Sequence, residues 1–424
     1  GPQGMFGIET VIEQIANSLG KDPLTVRKLN LYQDPKVSGN PATMTTQYNQ
    51  LIEDWVGDKV VNQVEAESGY WARREAVNAF NKANTKRKRG LALVPLKFGI
   101  SFTATMLNQG GALLNIYMDG SVSVNHGGTE MGQGLNTKMA QVCADGLGIS
   151  TRYVRVTGTD TQKVPNASAT SASSGADING AAIMNATQQM RERLKPVAAS
   201  MLGCDASEVT FAADHAHGGG KSVAWAALAK QAWLDRVGLS VTGFYMTPEI
   251  KYDFTTLNGR AFYYYCYGAA VSEVEIDTRT GEWWLKAVDI VHDAGKSINP
   301  AIDKGQIEGA YVQGMGWLTM EECIWDKKGK LLTHGPSTYK IPVAGDVPEH
   351  LKISLFENHN LKPTPFQSKA VGEPPLMLAL SSYFALRDAV SASAHHQTVV
   401  HMNAPATPER ILLACEKAKS AAGL

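Results

Sequence analysis

The chain has 424 residues, 44% of them hydrophobic, and its 40 basic and 40 acidic side chains give a formal net charge of zero. That length fits two or three domains with sizeable cores. The charge balance gives no electrostatic case for nucleic acid or an anionic membrane, and no apolar stretch is long enough to span a bilayer.

In chain order, Gly1-Pro2-Gln3-Gly4-Met5 opens without an initiator Met, which reads as a piece of a longer polypeptide or a processed subunit. Val11, Ile12, Ile15 and Leu19 recur at helical spacing, with Gly20 as the stop. Asp22-Pro23 is the N-cap and first position of a helix running toward Leu31. Residues 32–70 read as polar and irregular, and 71–84 as another helix. The basic run Lys86-Arg87-Lys88-Arg89 reads as a solvated loop. Residues 91–105 are apolar and β-like. The runs 113–118 and 121–124 flank Asp119-Gly120, which predicts a two-residue hairpin turn. A glycine-rich stretch, 127–134, then leads into a helix carrying Met139, Val142, Cys143 and Leu147, ended by Gly148.

A similar order recurs later. Residues 269–276 and 282–291 pair across Thr280-Gly281, and Gly305-Gln306 leads into a helix through Trp317. Hairpin, Gly-Gln and helix thus form an internal repeat. Thr407-Pro408 opens a final helix. Strands interleaved with helices through hairpins predict an α+β fold rather than a doubly wound parallel sheet.

Several local signals point nowhere. Gly218-Gly219-Gly220-Lys221-Ser222 ends like a phosphate-binding loop, but His215 occupies the place of its first glycine, so a flexible surface loop is expected. Gly132-Gln133-Gly134 has Thr137 where a dinucleotide fingerprint needs a third glycine. His395-His396 and His215/His217 lack partners at metal-ligand spacing, and each pair reads as an exposed helix end or loop. The cysteines Cys143, Cys204, Cys266, Cys323 and Cys415 match neither zinc nor iron–sulfur spacing and fit reduced, cytoplasmic thiols.

The most informative segment is Lys369-Ala370-Val371-Gly372-Glu373-Pro374-Pro375-Leu376. Proline fits the first helical turn, where N–H groups lack helical partners. Glu373 therefore stands just before a helix, as a cap or as a base aimed at something. Three loops of small and amide residues accompany it: Met131-Gly132-Gln133-Gly134, Pro165-Asn166-Ala167-Ser168-Ala169-Thr170-Ser171-Ala172-Ser173-Ser174-Gly175, and Gly305-Gln306. Each alone reads as a turn. Together they offer close backbone approach, hydroxyls and amides, which suit a polyanionic, heteroatom-rich cofactor.

Longer motifs carry a resemblance. They are Phe98-Gly99-Ile100-Ser101-Phe102-Thr103, His126-Gly127-Gly128-Thr129-Glu130-Met131-Gly132-Gln133-Gly134-Leu135, Val164-Pro165-Asn166, Thr242-Gly243-Phe244-Tyr245, and Ser272-Glu273-Val274-Glu275-Ile276-Asp277. Asn299-Pro300-Ala301-Ile302-Asp303 with Gly305-Gln306, Gly335-Pro336-Ser337-Thr338-Tyr339-Lys340-Ile341-Pro342, and Lys369 to Pro375 follow in order. The set resembles the C-terminal part of the molybdenum-binding region of xanthine dehydrogenases, within the xanthine dehydrogenase/aldehyde oxidase family of molybdenum hydroxylases. It spans essentially the whole chain. Gly1-Pro2-Gln3 resembles the tail of an Arg-Gly-Phe-Gly-Gly-Pro-Gln loop whose Arg and Phe would lie upstream. Ser171 and Gly175 depart from the Ala and Ser that family members often carry there.

The resemblance implies repeated hairpin-plus-helix units of a molybdopterin-binding domain. Residues 1–90 would be the remainder of a first molybdenum-binding subdomain and 91–424 the second. It implies a molybdenum–pterin cofactor contacted by Met131, Gly132, Gln133, Ala172, Ser173, Gln306 and Gly372, with Ala172 nearest the metal. Glu373 would be the general base, its carboxyl raised toward neutrality by burial. Phe102 and Thr103 would stack on and bond the edge of a purine, xanthine or hypoxanthine. The implied partners are the upstream half of the molybdenum region and domains or subunits carrying 2Fe-2S and FAD, in a homo-oligomeric complex. Two alternatives stand beside this: another N-heterocycle or an aldehyde as substrate, and an isolated chain that is an inert half-site.

Overall fold

The computed structural model describes every residue except Pro165, with the backbone alone at Pro35, Val37 and Pro41, so the Val164-Pro165-Asn166 motif lies partly outside the described residues. Five helices come first: α1 (Pro2–Ser18), α2 (Pro23–Leu29), α3 (Pro35–Ser38), α4 (Gly57–Ser68) and α5 (Tyr70–Ala83). Asp22 caps α2, its carboxylate accepting from Leu24 N at 2.8 Å. Then follow β1 (Arg87–Ile100), β2 (Gln109–Ile116), β3 (Val122–His126), α6 (Leu135–Leu147), β4 (Val154–Val156) and the long α7 (Gly175–Leu202). A small sheet of β5 (Thr210–Ala212), β6 (His215–Gly218) and β7 (Lys221–Ala224) leads to α8 (Trp225–Leu234) and β8 (Ser240–Met246). The short pair β9 (Lys251–Asp253) and β10 (Asn258–Arg260) precedes β11 (Tyr264–Asp277) and β12 (Trp283–His292). The chain ends with α9 (Pro300–Thr319), β13 (His350–Leu355), α10 (Leu380–Ser393) and α11 (Pro408–Ala421).

Two four-stranded sheets carry the architecture, ordered β1-β11-β12-β13 and β4-β3-β2-β8. Each contains a hairpin followed by a helix: β2–β3 then α6, and β11–β12 then α9. The α+β class and the hairpin-plus-helix repeat therefore hold. The shared Gly-Gln element does not. Gly132-Gln133 precede α6, whereas Gly305-Gln306 lie inside α9. That helix begins five residues earlier, where Asn299 accepts from Ile302 N at 3.1 Å and Pro300 takes the first position.

The first sheet is buried on both faces, as period-two alternation on β1 requires. Leu91 and Leu93 join Leu24, Val60, Val64, Tyr70 and Val77 from α2, α4 and α5. Ala92, Val94 and Leu96 face the opposite way, into the core made with α9, α10 and α11. The second sheet packs on α6, α7 and α8. On β8, Gly243 lies so close to α7 that a Cβ there would stand 2.0 Å from the Ala182 carbonyl oxygen.

Four local expectations need correction. The segment 32–70 contains α4, whose Val60, Val61 and Val64 are buried at helical spacing. The basic run is not a loop, because β1 starts at Arg87. Arg87 and Arg89 each reach Glu275 on β11 at 2.9 Å, and Lys88 Nζ donates to the Asn81 and Asn84 carbonyls at 2.6 Å. The turn between β2 and β3 holds three residues, 118–120, rather than two inside its closing pair, where Tyr117 N donates to Ser121 O at 2.9 Å. Gly219-Gly220 form a tight turn between the paired strands β6 and β7 rather than a flexible loop.

His395 and His396 are exposed just past α10, while His215 and His217 are half-buried on β6. Among the described residues, no three His, Cys, Asp or Glu side chains are grouped to hold a metal ion, and no helix is long and apolar enough to cross a membrane.

Candidate functional site

Four helix starts face one cavity of about 250 Å³. The start of α6 brings Met131, Gln133, Leu135 and Lys138; the start of α7 brings Thr170, Ser171, Ser173 and Asp177; the start of α9 brings Asp303 and Gln306. The fourth wall is the segment 368–373, which enters the short 3₁₀ helix Pro374–Ala379 ahead of α10. Helix starts carry partial positive charge, so their convergence favours an anionic group, although Glu130 already takes the Gly134 and Asn136 N–H groups at α6 and Pro374-Pro375 offer none.

Glu373 occupies the position before Pro374 with φ −99° and ψ −38°, yet its side chain makes no capping hydrogen bond. The cap alternative therefore fails, and the carboxylate is uncommitted. Its backbone is not: Glu373 N donates to Ser173 Oγ at 2.7 Å, joining two walls of the cavity. The side chain is exposed, so the burial expected for a general base is not supplied by this chain.

The glycine-rich loop is organised by Glu130, which sequence reasoning passed over. Its carboxylate accepts from Gly132 N at 2.9 Å, Gly134 N at 3.0 Å and Asn136 N at 2.8 Å. Partial burial pushes this carboxyl up, but the three backbone donors outweigh it and hold Glu130 below the usual carboxylate range. Gln133 is folded onto the same loop, accepting from Met131 N at 2.5 Å and donating to Thr129 O at 2.8 Å. The facing loop is held by two non-glycine residues in left-handed conformation, Ala172 (φ 56°) and Ser173 (φ 55°). Such positions persist only when surrounding contacts fix them, and Ser173 has one in Glu373 N.

Behind these loops lies a buried polar layer. Asp177 accepts from the Tyr264 hydroxyl at 2.7 Å, and that hydroxyl accepts in turn from Ala370 N at 3.0 Å. Burial pushes the Asp177 carboxyl up to about 7, against the lowering effects of the Tyr264 hydrogen bond and the Lys138 charge. Lys138 pairs with Asp303, which also accepts from Ser297. Asp177 and Lys138 were missed because their partners, Tyr264 and Asp303, are distant in sequence, and Asp303 stood in the Asn299–Asp303 motif without a role. The only local signal was their place in the first turns of three helices.

Met131, Gln133, Ser173, Gln306, Gly372 and Glu373 all line the cavity. Gly132 and Ala172 belong to its two loops but do not line it. Phe102 and Thr103 are not on its wall either. They sit half-buried on the loop after β1, where Asn108 clamps Phe102 through N and O at 2.8 Å each. The departures Ser171 and Gly175 both border the cavity. A larger cavity, about 370 Å³, lies between α1, α5 and α10 and holds none of the expected site residues.

The donor set fits an anionic cofactor rich in nitrogen and oxygen. It combines converging helix starts, the Gln306 amide, the Ser173 hydroxyl, and Lys138, whose ammonium has three donors and spends one on Asp303.

The sequence profile of the molybdopterin cofactor-binding domain matches residues 63–348. The chain is 43% identical over 418 residues to a xanthine dehydrogenase/oxidase of Gallus gallus, covering 98% of this chain and 29% of that protein. It is 44% identical over 421 residues to the xanthine dehydrogenase/oxidase of Mus musculus, covering 98% and 30%. Thus the chain spans under a third of the length of these curated relatives. Among solved structures, quinoline 2-oxidoreductase from Pseudomonas putida 86 superimposes with a TM-score of 0.83 at 26% identity, over 98% of this chain and 52% of that one.

Proposed function

The chain belongs to the molybdopterin cofactor-binding domain family, and from that premise we propose that it is the C-terminal part of the molybdenum-binding region of a hydroxylase that oxidises xanthine or hypoxanthine. The observation that carries this reading is the arrival of Gln133, Ser173, Gln306 and Glu373 at one cavity from four separate stretches of chain. The relatives named xanthine dehydrogenase/oxidase support the purine substrate. In this reading residues 1–90 complete a first molybdenum-binding subdomain and 91–424 form the second. Electrons leave through 2Fe-2S and FAD centres on other domains or subunits of a cytoplasmic homo-oligomer.

When bound, the molybdenum–pterin group supplies a Lewis-acidic, two-electron redox centre. Gln133 and Gln306 would hold it through their amides, with Met131 and Gly372 on the same cavity wall, while Gly132 and Ala172, contacts by resemblance, belong to the two loops that carry that wall. Ser173 both contacts the group and fixes the backbone of Glu373. Lys138 balances negative charge at the helix starts. Glu373 acts as general base: its carboxylate is free of any cap while its N–H is anchored, so its oxygens accept a proton from a group in the cavity. A second reading keeps this machinery and changes the substrate to another N-heterocycle. It is favoured by the likeness to quinoline 2-oxidoreductase and by Phe102 and Thr103 standing off the cavity wall.

Glu373→Gln in the intact enzyme tests the proposal. Xanthine turnover should fall by about 10²–10⁴-fold with molybdenum content unchanged. Full turnover in that variant removes Glu373 from the role.

A further inference from the structure

Lys369 stands four residues before Glu373, and its side chain is 0% exposed. All three of its ammonium donors are spent: on Asp54 Oδ2 at 2.6 Å, Asp293 Oδ2 at 2.8 Å and the Tyr265 carbonyl at 3.1 Å. It has no donor left for a ligand in the cavity it borders. Burial works against its charge, and the neighbouring Asp293 and Asp54 carboxylates outweigh that, so the ammonium stays charged.

The two carboxylates come from distant parts of the fold. Asp54 lies ahead of α4, and Asp293 directly follows β12. Both are held in place themselves. Asp54 Oδ1 accepts from the Tyr267 hydroxyl at 3.2 Å, and Asp293 accepts from Asn358 Nδ2 at 3.1 Å and Gly295 N at 3.0 Å. Beyond Lys369 the segment is tied at successive points. Lys369 N donates to Ala294 O at 2.7 Å, Ala370 N to Tyr264 at 3.0 Å, and Glu373 N to Ser173 at 2.7 Å. Glu373 itself is exposed, and Gly372 before it has no side chain to pack, so its place depends on these ties.

We propose that Lys369, locked between Asp54 and Asp293, is a positioning residue that sets where Glu373 stands over the cavity. The inference rests on the reading of Glu373 as general base. It gives the segment before α4 a bearing on the site that it does not touch. A displacement of about 1 Å in a reacting group can cost on the order of 10²-fold in rate.

The test uses the intact protein that carries this chain. Asp54→Asn and Asp293→Asn each remove one charge while keeping side-chain shape, and either suffices if it folds. Backbone amides of 370–373 should exchange hydrogen faster, with the β1–β11 amides unchanged. Turnover number for xanthine should fall about 10–10²-fold with little change in KM. Adding Asp54→Asn to Glu373→Gln should cost nothing further, because both act through one group. Unchanged exchange in a folded variant overturns the proposal, as do losses that multiply in the double variant. Failure of both variants to fold assigns the triad to stability and overturns it as well. If Glu373→Gln leaves turnover intact, the general-base reading falls, and the exchange result still decides whether the tether exists.

Discussion

Two buried titrating groups, Asp177 on the cavity wall and His292 at the end of β12, have opposite pH behaviour. Asp177 is raised from 3.8 to about 7, so the folded state holds its proton more tightly than the unfolded chain. Its contribution to stability is full below about pH 4, declines as pH rises, and is gone above about pH 7. Asp177→Asn keeps an acceptor for Tyr264 and removes the charge. Its stability relative to the parent should therefore rise between pH 5 and pH 8, by on the order of 2–4 kcal/mol. Thermal melts at both pH values check this, and a pH-independent difference contradicts it. His292 is the converse case. It is fully buried, neither ring nitrogen has a partner among the described residues, and burial pushes it down to about 4. Its contribution is present above about pH 6.5 and is lost as pH falls through about 4. His292→Leu removes two unpaired polar atoms, so acid unfolding followed by circular dichroism should move to lower pH.

At the scale of elements, legibility followed how local the cause was. The starts of α2 and α11 were readable because Asp22 and Thr407 cap the N–H groups a few residues on. Arg87 and Arg89 misled because their strand is stabilised by Glu275, far along the chain on β11. The start of α9 was visible in Asn299-Pro300, but Gly305, a usual breaker, lies within the helix. The site divides in the same way. Gln133, Ser173, Gln306 and Glu373 stand in motifs that could be matched as text. Asp177 and Lys138 acquire their character only from burial among distant segments, and Asp303 stood in a matched motif without a role until its pairing with Lys138 was seen. Two glycines give a paired prediction. Gly243→Ala would force its Cβ to 2.0 Å from Ala182 O and 2.8 Å from Ala186 N, so β8 and α7 must separate, at a cost of about 1–3 kcal/mol or more. Gly305→Ala meets nothing within 4 Å inside α9 and should gain roughly 0.5–1 kcal/mol. Denaturant midpoints of the two variants should move in opposite directions.

For the whole molecule, the cavity is enclosed only in part by the described residues. Met131 on its rim is 67% exposed, and Glu373 is exposed beside it. A large cofactor held there would leave one side in solvent. The 424-residue chain purified alone should therefore carry little molybdenum and no xanthine activity. Co-expression with an upstream partner should raise both, measured by elemental analysis and turnover. Molybdenum and activity in the chain alone would end the inert half-site reading.

The bond from Glu373 N to Ser173 Oγ joins residues 200 positions apart, and Lys369 reaches 315 positions back to Asp54. Contacts of such separation close late, after much of the surrounding chain has ordered. On the ribosome, the glycine-rich loop and α7 emerge long before the strip that faces them. Until residue 373 has left the exit tunnel, the cavity lacks a wall and the buried lysine lacks its place. Cofactor capture at this cavity therefore waits until the segment through residue 373 has been synthesised, rather than beginning as the glycine-rich loop emerges.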